Sequence, residues 1–258
     1  VIEARSRFRS VGEGRYAGSF DPSWNQGPGT FGGLLAATLG DALEREVPGR
    51  PLRTLSMQLC APAASGPLYA VVQEERVGSA ATFCSARLES AGKPVVIATA
   101  MLSRARTDQA DYDHVVRPSI PAPDQLPEPG LVAGAPAFTR HFRFRFAHGE
   151  PFTGQQRPGT GGWVRPVVDQ PLSTPLALAL LDTWPLAILP TFSAPRPVAS
   201  IAIDFHLFRP LSTGDSGWYQ VEVSSDLNRQ GYGAQVSSLW DEGGALLGRS
   251  YQLIALIR

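Results

Sequence analysis

The spacing of apolar residues changes several times along the chain, and each change marks an element. Ser6–Val11 and Arg15–Phe20 alternate as two strands on either side of a Gly12–Gly14 turn. A loop rich in Gly and Pro follows from Pro22. In Leu34–Glu46 the apolar positions Leu35, Leu39, Ala42 and Leu43 keep the three-and-four spacing of a helix, and Pro48-Gly49 stops it. Arg53–Cys60, Leu68–Val77, Ala81–Glu89 and Val95–Arg104 then read as strands separated by small polar turns.

Residues 107–137 break this pattern. They carry acidic residues, six prolines and few apolar neighbours, as an extended surface linker does. After it the same order returns. Phe138–Phe146 and Gly161–Val168 read as strands. Thr174-Pro175 supplies a cap and a first-turn proline to a helix running to about Leu189. Val198–Arg209, Gly217–Ser224, Gly231–Trp240 and Leu246–Ile257 follow as strands. An ungapped shift of 152 lays Glu75–Met101 on Leu227–Leu253, with only Ser85/Ser237 and Gly92/Gly244 identical. The agreement is in polarity and phase, as at Cys84/Val236, Leu88/Trp240, Val95/Leu247 and Leu102/Ile254. We therefore expect two diverged copies of one unit, residues 1–106 and 138–258, joined by the linker 107–137. The Thr174–Leu189 helix is apolar nearly all round and must be buried on most sides. The fold class this predicts is α+β, with an antiparallel sheet wrapped round one helix in each β-β-α-β-β-β-β unit.

Composition narrows the function. Of 258 residues 43% are apolar and 18% charged, enough for a core. The 23 basic and 23 acidic residues balance, which argues against nucleic acid as a partner. Two cysteines, Cys60 and Cys84, make no disulfide framework and read as free thiols. No run approaches the roughly 18 apolar residues of a membrane span, and the first residues lack the apolar run of a signal peptide. These features predict a soluble, cytoplasmic protein.

Two motifs are decoys. Gly27–Gly32 fits G-x-G-x-x-G, but Asp21–Gln26 cannot be the apolar strand a dinucleotide site requires. Its better reading is a tight approach to a helix start whose free N–H groups suit an anion or carbonyl. Gly214-Asp215-Ser216-Gly217 resembles a serine-protease loop but reads as a hairpin turn. His114, His141, His148 and His206 show no metal-binding spacing. Two residues stand out instead. Asp182 lies in an apolar helix, where an ionised carboxylate is costly unless hydrogen-bonded, and Pro185 should kink that helix three residues on. It is either satisfied locally at the kink or held for base chemistry. Gln252 shares a strand face with Gly248, Ser250, Ile254 and Leu256, and a buried amide needs partners. Ala100 stands at its place in the first copy, so one polar site per chain is expected.

Thr30-Phe31-Gly32-Gly33 before a small-residue helix, and Phe208-Arg209-Pro210 ending a strand, resemble the bacterial acyl-CoA thioesterase II family, whose members are double hotdogs. The resemblance covers nearly the whole chain. It implies a site in which an Asp on the second helix, a Thr or Ser and a Gln position a water. Carried over, these are Asp182, Ser200 and Gln252. Free N–H groups at the helix start, where Gly32-Gly33 allow close approach, are expected to bind the thioester oxygen. Simple alternation places Ser200 with Asp204 and His206, away from Ile201, Ile203, Phe205 and Leu207; a bulge would move it. The implied substrate is an acyl-CoA, with no cofactor or metal and a homodimer as the assembly. The competing readings are a non-catalytic acyl-CoA or acyl-carrier binding module and an acyl transferase. A hotdog hydratase would need a histidine near the second helix, and the sequence places none there.

Overall fold

A computed structural model describes residues 2, 7–63, 66–106, 110–129, 134–209, 211 and 217–257. Ser6, Pro210 and most of the Gly214–Gly217 turn lie outside the described residues. The first unit contains β1 (Arg9–Gly12), β2 (Arg15–Gly18), a two-residue pair β3 (Asn25–Gln26) and β4 (Gly29–Thr30), α1 (Gly32–Glu46), β5 (Leu52–Leu59), β6 (Leu68–Val77), β7 (Ala81–Ser90) and β8 (Lys93–Ser103). The second contains β9 (Phe142–His148), β10 (Thr160–Pro166), α2 (Thr174–Thr183), β11 (Val198–Leu207), β12 (Tyr219–Arg229), β13 (Tyr232–Trp240) and β14 (Leu246–Leu256).

Twelve strands form one antiparallel sheet in the order β1-β2-β6-β7-β8-β5-β11-β14-β13-β12-β10-β9. Read from either end, the order visits equivalent strands of the two units. The units join where β5 pairs with β11, from Ala202↔Gln58 to His206↔Thr54. The sheet curls round α1 and α2, which pack on each other. This is the double hotdog expected from the sequence. Every residue of α2 from Thr174 to Leu181 is buried, as an all-round apolar helix requires.

The helices approach closely because α1 presents glycines to α2. A Cβ on Gly33 would lie 2.9 Å from the backbone oxygen of Ala179, and one on Gly40 would lie 2.6 Å from Leu178 Cδ1. At Gly33 the neighbour is backbone, so only a residue without a side chain permits this spacing, whereas at Gly40 the neighbour is the movable end of a side chain.

Four expectations change. The α2 cap is Ser173, whose hydroxyl accepts from the Leu176 N–H at 3.3 Å, while Thr174 donates to Glu44 at 2.8 Å. The helix is not kinked at Pro185 but ends at Thr183. Trp184, the residue before the proline, is extended at φ −76° and ψ 146°, the conformation a following proline favours. Phe138–His141 is a turn of 3-10 helix rather than strand. There Phe138 stacks on Phe31 at 4.0 Å and His141 stacks on Trp24 at 3.8 Å, tying the second unit to the first.

The fourth correction concerns the copy-to-copy alignment. Ala100 is opposite Cys84 in β7–β8, and Gln252 is opposite Gln235 in β13–β14. The equivalent of Cys84 is therefore Gln235, not Val236, and that of Leu88 is Leu239, not Trp240. Both copies have the same bulge, after Leu88 and after Leu239, so the extra residue lies in the turn: five residues separate Trp240 from Leu246 where four separate Glu89 from Pro94, which no ungapped shift can represent.

Residues 110–129 strap the outer face of the second unit. Gln220 donates to the Pro118 carbonyl at 2.7 Å, and Trp163 Nε1 donates to that of Pro121 at 2.9 Å. Trp163 thus points away from the helices yet is only 5% exposed.

Candidate active site

The site lies where the end of α2, the start of α1, and strands β11, β13 and β14 meet. Asp182 is the penultimate residue of α2, in its last turn rather than mid-helix. Ser250 holds that turn to the sheet by donating its hydroxyl to the Leu181 carbonyl at 3.0 Å. Two residues further along the same face of β14, Gln252 Nε2 donates to Asp182 Oδ1 at 2.9 Å and to Ser200 Oγ at 2.7 Å. The three residues expected to form the catalytic group are therefore together in space.

Ser200 arrives there through a bulge. The β11–β14 register shifts between Ser200 and Ala202. The extra residue, Ile201, is turned outward and is 36% exposed, so it does not share the inner face of Ile203, Phe205 and Leu207 as expected. The first copy has the same bulge, between Leu52 and Thr54. Its equivalents of Ser200, Gln235 and Gln252 are Leu52, Cys84 and Ala100, all buried. The polar group is confined to the second copy.

The first copy supplies the facing wall. A Cβ on Gly32 would lie 2.7 Å from Asp182 Oδ2. The Gly33 N–H donates to the Asp182 carboxylate. Phe31, the cap position of α1, gives no side-chain hydrogen bond. Asp182 thus caps α1 from across the unit boundary, and a first-turn N–H expected to be free is taken by this carboxylate. Thr30 serves another purpose, donating its hydroxyl to the Ala63 carbonyl at 3.1 Å.

Asp182 retains some accessible surface, but protein packs densely round its carboxyl. Desolvation pushes its pKa up from 3.8 to about 7, against the opposing effect of the Gln252 and Gly33 hydrogen bonds. Burial wins because two neutral donors replace only part of the hydration a carboxylate loses. The result is a carboxyl poised near neutrality, which suits a group that exchanges a proton with water.

Sequence reasoning missed Gln235. Its Nε2 donates to Gln252 Oε1 at 2.5 Å, and its Oε1 accepts from the Ala187 N–H at 3.1 Å. The signal available was a second inward glutamine on the strand paired with that of Gln252; the alignment error of one residue turned it outward. The four histidines are elsewhere among the described residues. His114 is in the strap beside Tyr112, His141 bonds Ser23, His148 pairs with Glu222, and His206 meets the edge of Tyr251 on the outer face.

A double hotdog with one buried carboxylate–amide–hydroxyl group at the junction of its units defines the class of protein. Sequence models of that class place it further. Residues 20–104 match the acyl-CoA thioesterase N-terminal domain and residues 116–256 match the acyl-CoA thioesterase C-terminal domain. The chain belongs to the acyl-CoA thioesterase family. No curated protein matches it in sequence. Among solved structures it is similar to a hot dog fold protein of unknown function from Alicyclobacillus acidocaldarius, with a TM-score of 0.91, 22% identity, and coverage of 100% of this chain and 98% of the other. It is also similar to an acyl-CoA thioesterase II from Mycobacterium marinum, with a TM-score of 0.80, 20% identity and coverage of 100% and 98%. A dehydratase domain from Pseudomonas fluorescens shares the fold more loosely, with a TM-score of 0.57, 13% identity and coverage of 96% of each chain. At these identities the structural likeness speaks for the fold.

Proposed function

We propose that the protein hydrolyses an acyl-CoA thioester to the free acid and CoA, with Asp182 as general base. The observation that carries this reading is the single carboxylate held by Gln252 and Gly33 with its pKa near 7, beside the Ser200 hydroxyl. A water held by the Asp182 carboxylate and the Ser200 hydroxyl, both set in place by Gln252, attacks the carbonyl carbon and gives its proton to Asp182. The tetrahedral intermediate collapses, the carbon–sulfur bond breaks, and the departing thiolate of CoA takes up a proton. A thioester carbonyl is electrophilic and a thiolate leaves readily, so no side-chain nucleophile is needed. Base catalysis supplies about 10²–10⁴-fold. The start of α1 supplies the rest by polarising the carbonyl. Gly32 and Gly33 leave room there, and the thioester oxygen competes with Asp182 for the Gly33 N–H.

The test is thiol release from a panel of short to long acyl-CoAs, comparing wild type with Asp182→Asn. Turnover by wild type and a fall of about 100-fold or more in the variant support the assignment. A wild type that binds acyl-CoA but releases no thiol on any chain length replaces hydrolysis with the binding-module reading. Release only when an alcohol or amine is added replaces it with acyl transfer.

A further inference from the structure

We propose that Gln235 is a positioning residue, one that dictates which end of the Gln252 amide faces Asp182 and Ser200. The proposal rests on the hydrolytic reading above and adds a residue to it.

The two ends of a glutamine amide have nearly the same shape and opposite hydrogen-bonding character. Gln252 is useful to the site in only one orientation. With Nε2 inward it donates to the Asp182 carboxylate and to Ser200 Oγ. Turned over, it would set Oε1 against the carboxylate, oxygen against oxygen. Nothing in Gln252 itself decides between the two, and the decision is made two links away.

The Ala187 N–H can only donate. It is met by Gln235 Oε1 at 3.1 Å. That leaves Gln235 Nε2 as the end directed at Gln252, where it must meet an acceptor, and it meets Oε1 at 2.5 Å. The Nε2 of Gln252 is then the end left for the site. A backbone group that cannot be reversed thus sets the direction of two side-chain amides in series. Ala187 is able to do this because Pro185 ends α2. Had the helix continued to Leu189 as its apolar pattern suggests, the Ala187 N–H would have been spent on an intrahelical carbonyl.

The fold does not need this pair. Gln235 is 6% and Gln252 5% exposed, and both are costly to bury without partners. At the equivalent positions the first copy has Cys84 and Ala100, and there the same strands pair in the same way. The relay occurs only in the copy that carries Asp182.

The experiment uses the full chain with Gln235→Met, Gln252→Met and the double variant. A second probe is Gln235→Glu, whose carboxylate still accepts from Ala187 but cannot donate to Gln252. Two readouts are taken: kcat and KM on an acyl-CoA that wild type hydrolyses, and titration of the Asp182 carboxyl by carbon-13 NMR without substrate. Gln235→Met is expected to lower kcat by about 10-fold or more, the scale for losing the partner that orients a functional ligand, with KM nearly unchanged. The Asp182 titration moves to higher pH in both Gln235 variants, because a Gln252 donor is lost from the carboxylate. The double variant is no worse than Gln252→Met alone. An unmoved titration in the Gln235 variants overturns the proposal. So does a double variant whose loss is the product of the two single losses. If wild type hydrolyses no thioester the functional reading falls by itself, and the titration still decides whether Gln235 orients Gln252.

Discussion

Asp182 carries opposing influences, and their balance sets how it behaves. Burial favours its protonated form, while Gln252 and Gly33 favour the anion. With burial ahead and the pKa near 7, activity that depends on the carboxylate should rise with pH through about 7. At pH 5 it should be roughly 100-fold below its plateau, whereas an ordinary aspartate would leave the rate flat from pH 5 to 8. A profile of kcat/KM against pH checks this. Gly32 makes a second prediction at the same scale. A methyl group there meets Asp182 Oδ2 at 2.7 Å and Ile203 Cδ1 only at 3.7 Å, so the carboxyl must turn away while the core is undisturbed. Gly32→Ala should therefore lose about 10- to 100-fold in kcat. It should also lose about 0.5–2 kcal/mol of stability, because the carboxylate that turns away is the one that caps α1. Kinetics and thermal unfolding on the same preparation separate the two effects.

Elements place these residues, and they do so through irregularities more than through regular structure. The bulge in β11 brings Ser200 inward and sends Ile201 outward. The end of α2 before Pro185 frees the Ala187 N–H for Gln235. The α1–α2 contact brings the glycines of one unit to the carboxylate of the other. That contact can be probed. A Cβ on Gly33 would sit 2.3 Å from Phe31 Cζ and 2.9 Å from a backbone oxygen of α2, whereas one on Gly40 meets first the flexible end of Leu178 at 2.6 Å. Gly33→Ala should cost about 1–3 kcal/mol by overpacking, and Gly40→Ala clearly less. Urea unfolding of both variants measures the difference, and equal losses would mean that the backbone contact at Gly33 does not set the helix spacing.

At the scale of the whole molecule, the Asp182 carboxyl links the site to stability. Its pKa is higher folded than unfolded, so its contribution to stability is fully present below about pH 4 and is lost as the pH rises through about 7. Between pH 5 and pH 8 the wild type should lose up to about 3 kcal/mol relative to Asp182→Asn, which does not titrate. Denaturant unfolding of the two proteins at both pH values gives that difference directly. The loss is one that the rest of the core must carry for the sake of a carboxylate able to act at neutral pH.

The hydrophobic pattern by itself determined the element order, the repetition of one unit, the buried second helix and the confinement of unusual polar residues to the second copy. It could do so because strand and helix periods, and the expense of an inward Asp or Gln, are local properties of the chain. Asp182 and Gln252 were legible for that reason: each is a polar residue among apolar neighbours on one face. Only the tertiary structure decided the rest. Ser200 reaches the site by a bulge that alternation cannot foresee, because one extra residue reverses the facing of its neighbours without leaving a mark in their polarity. Gln235 was hidden by an offset of one residue that the β13–β14 hairpin absorbs. The Gly33 N–H is given to Asp182, not left free, because two helices more than a hundred residues apart in the chain lie side by side in opposite directions, with the start of α1 against the end of α2, and no periodicity records which partner a helix terminus will find.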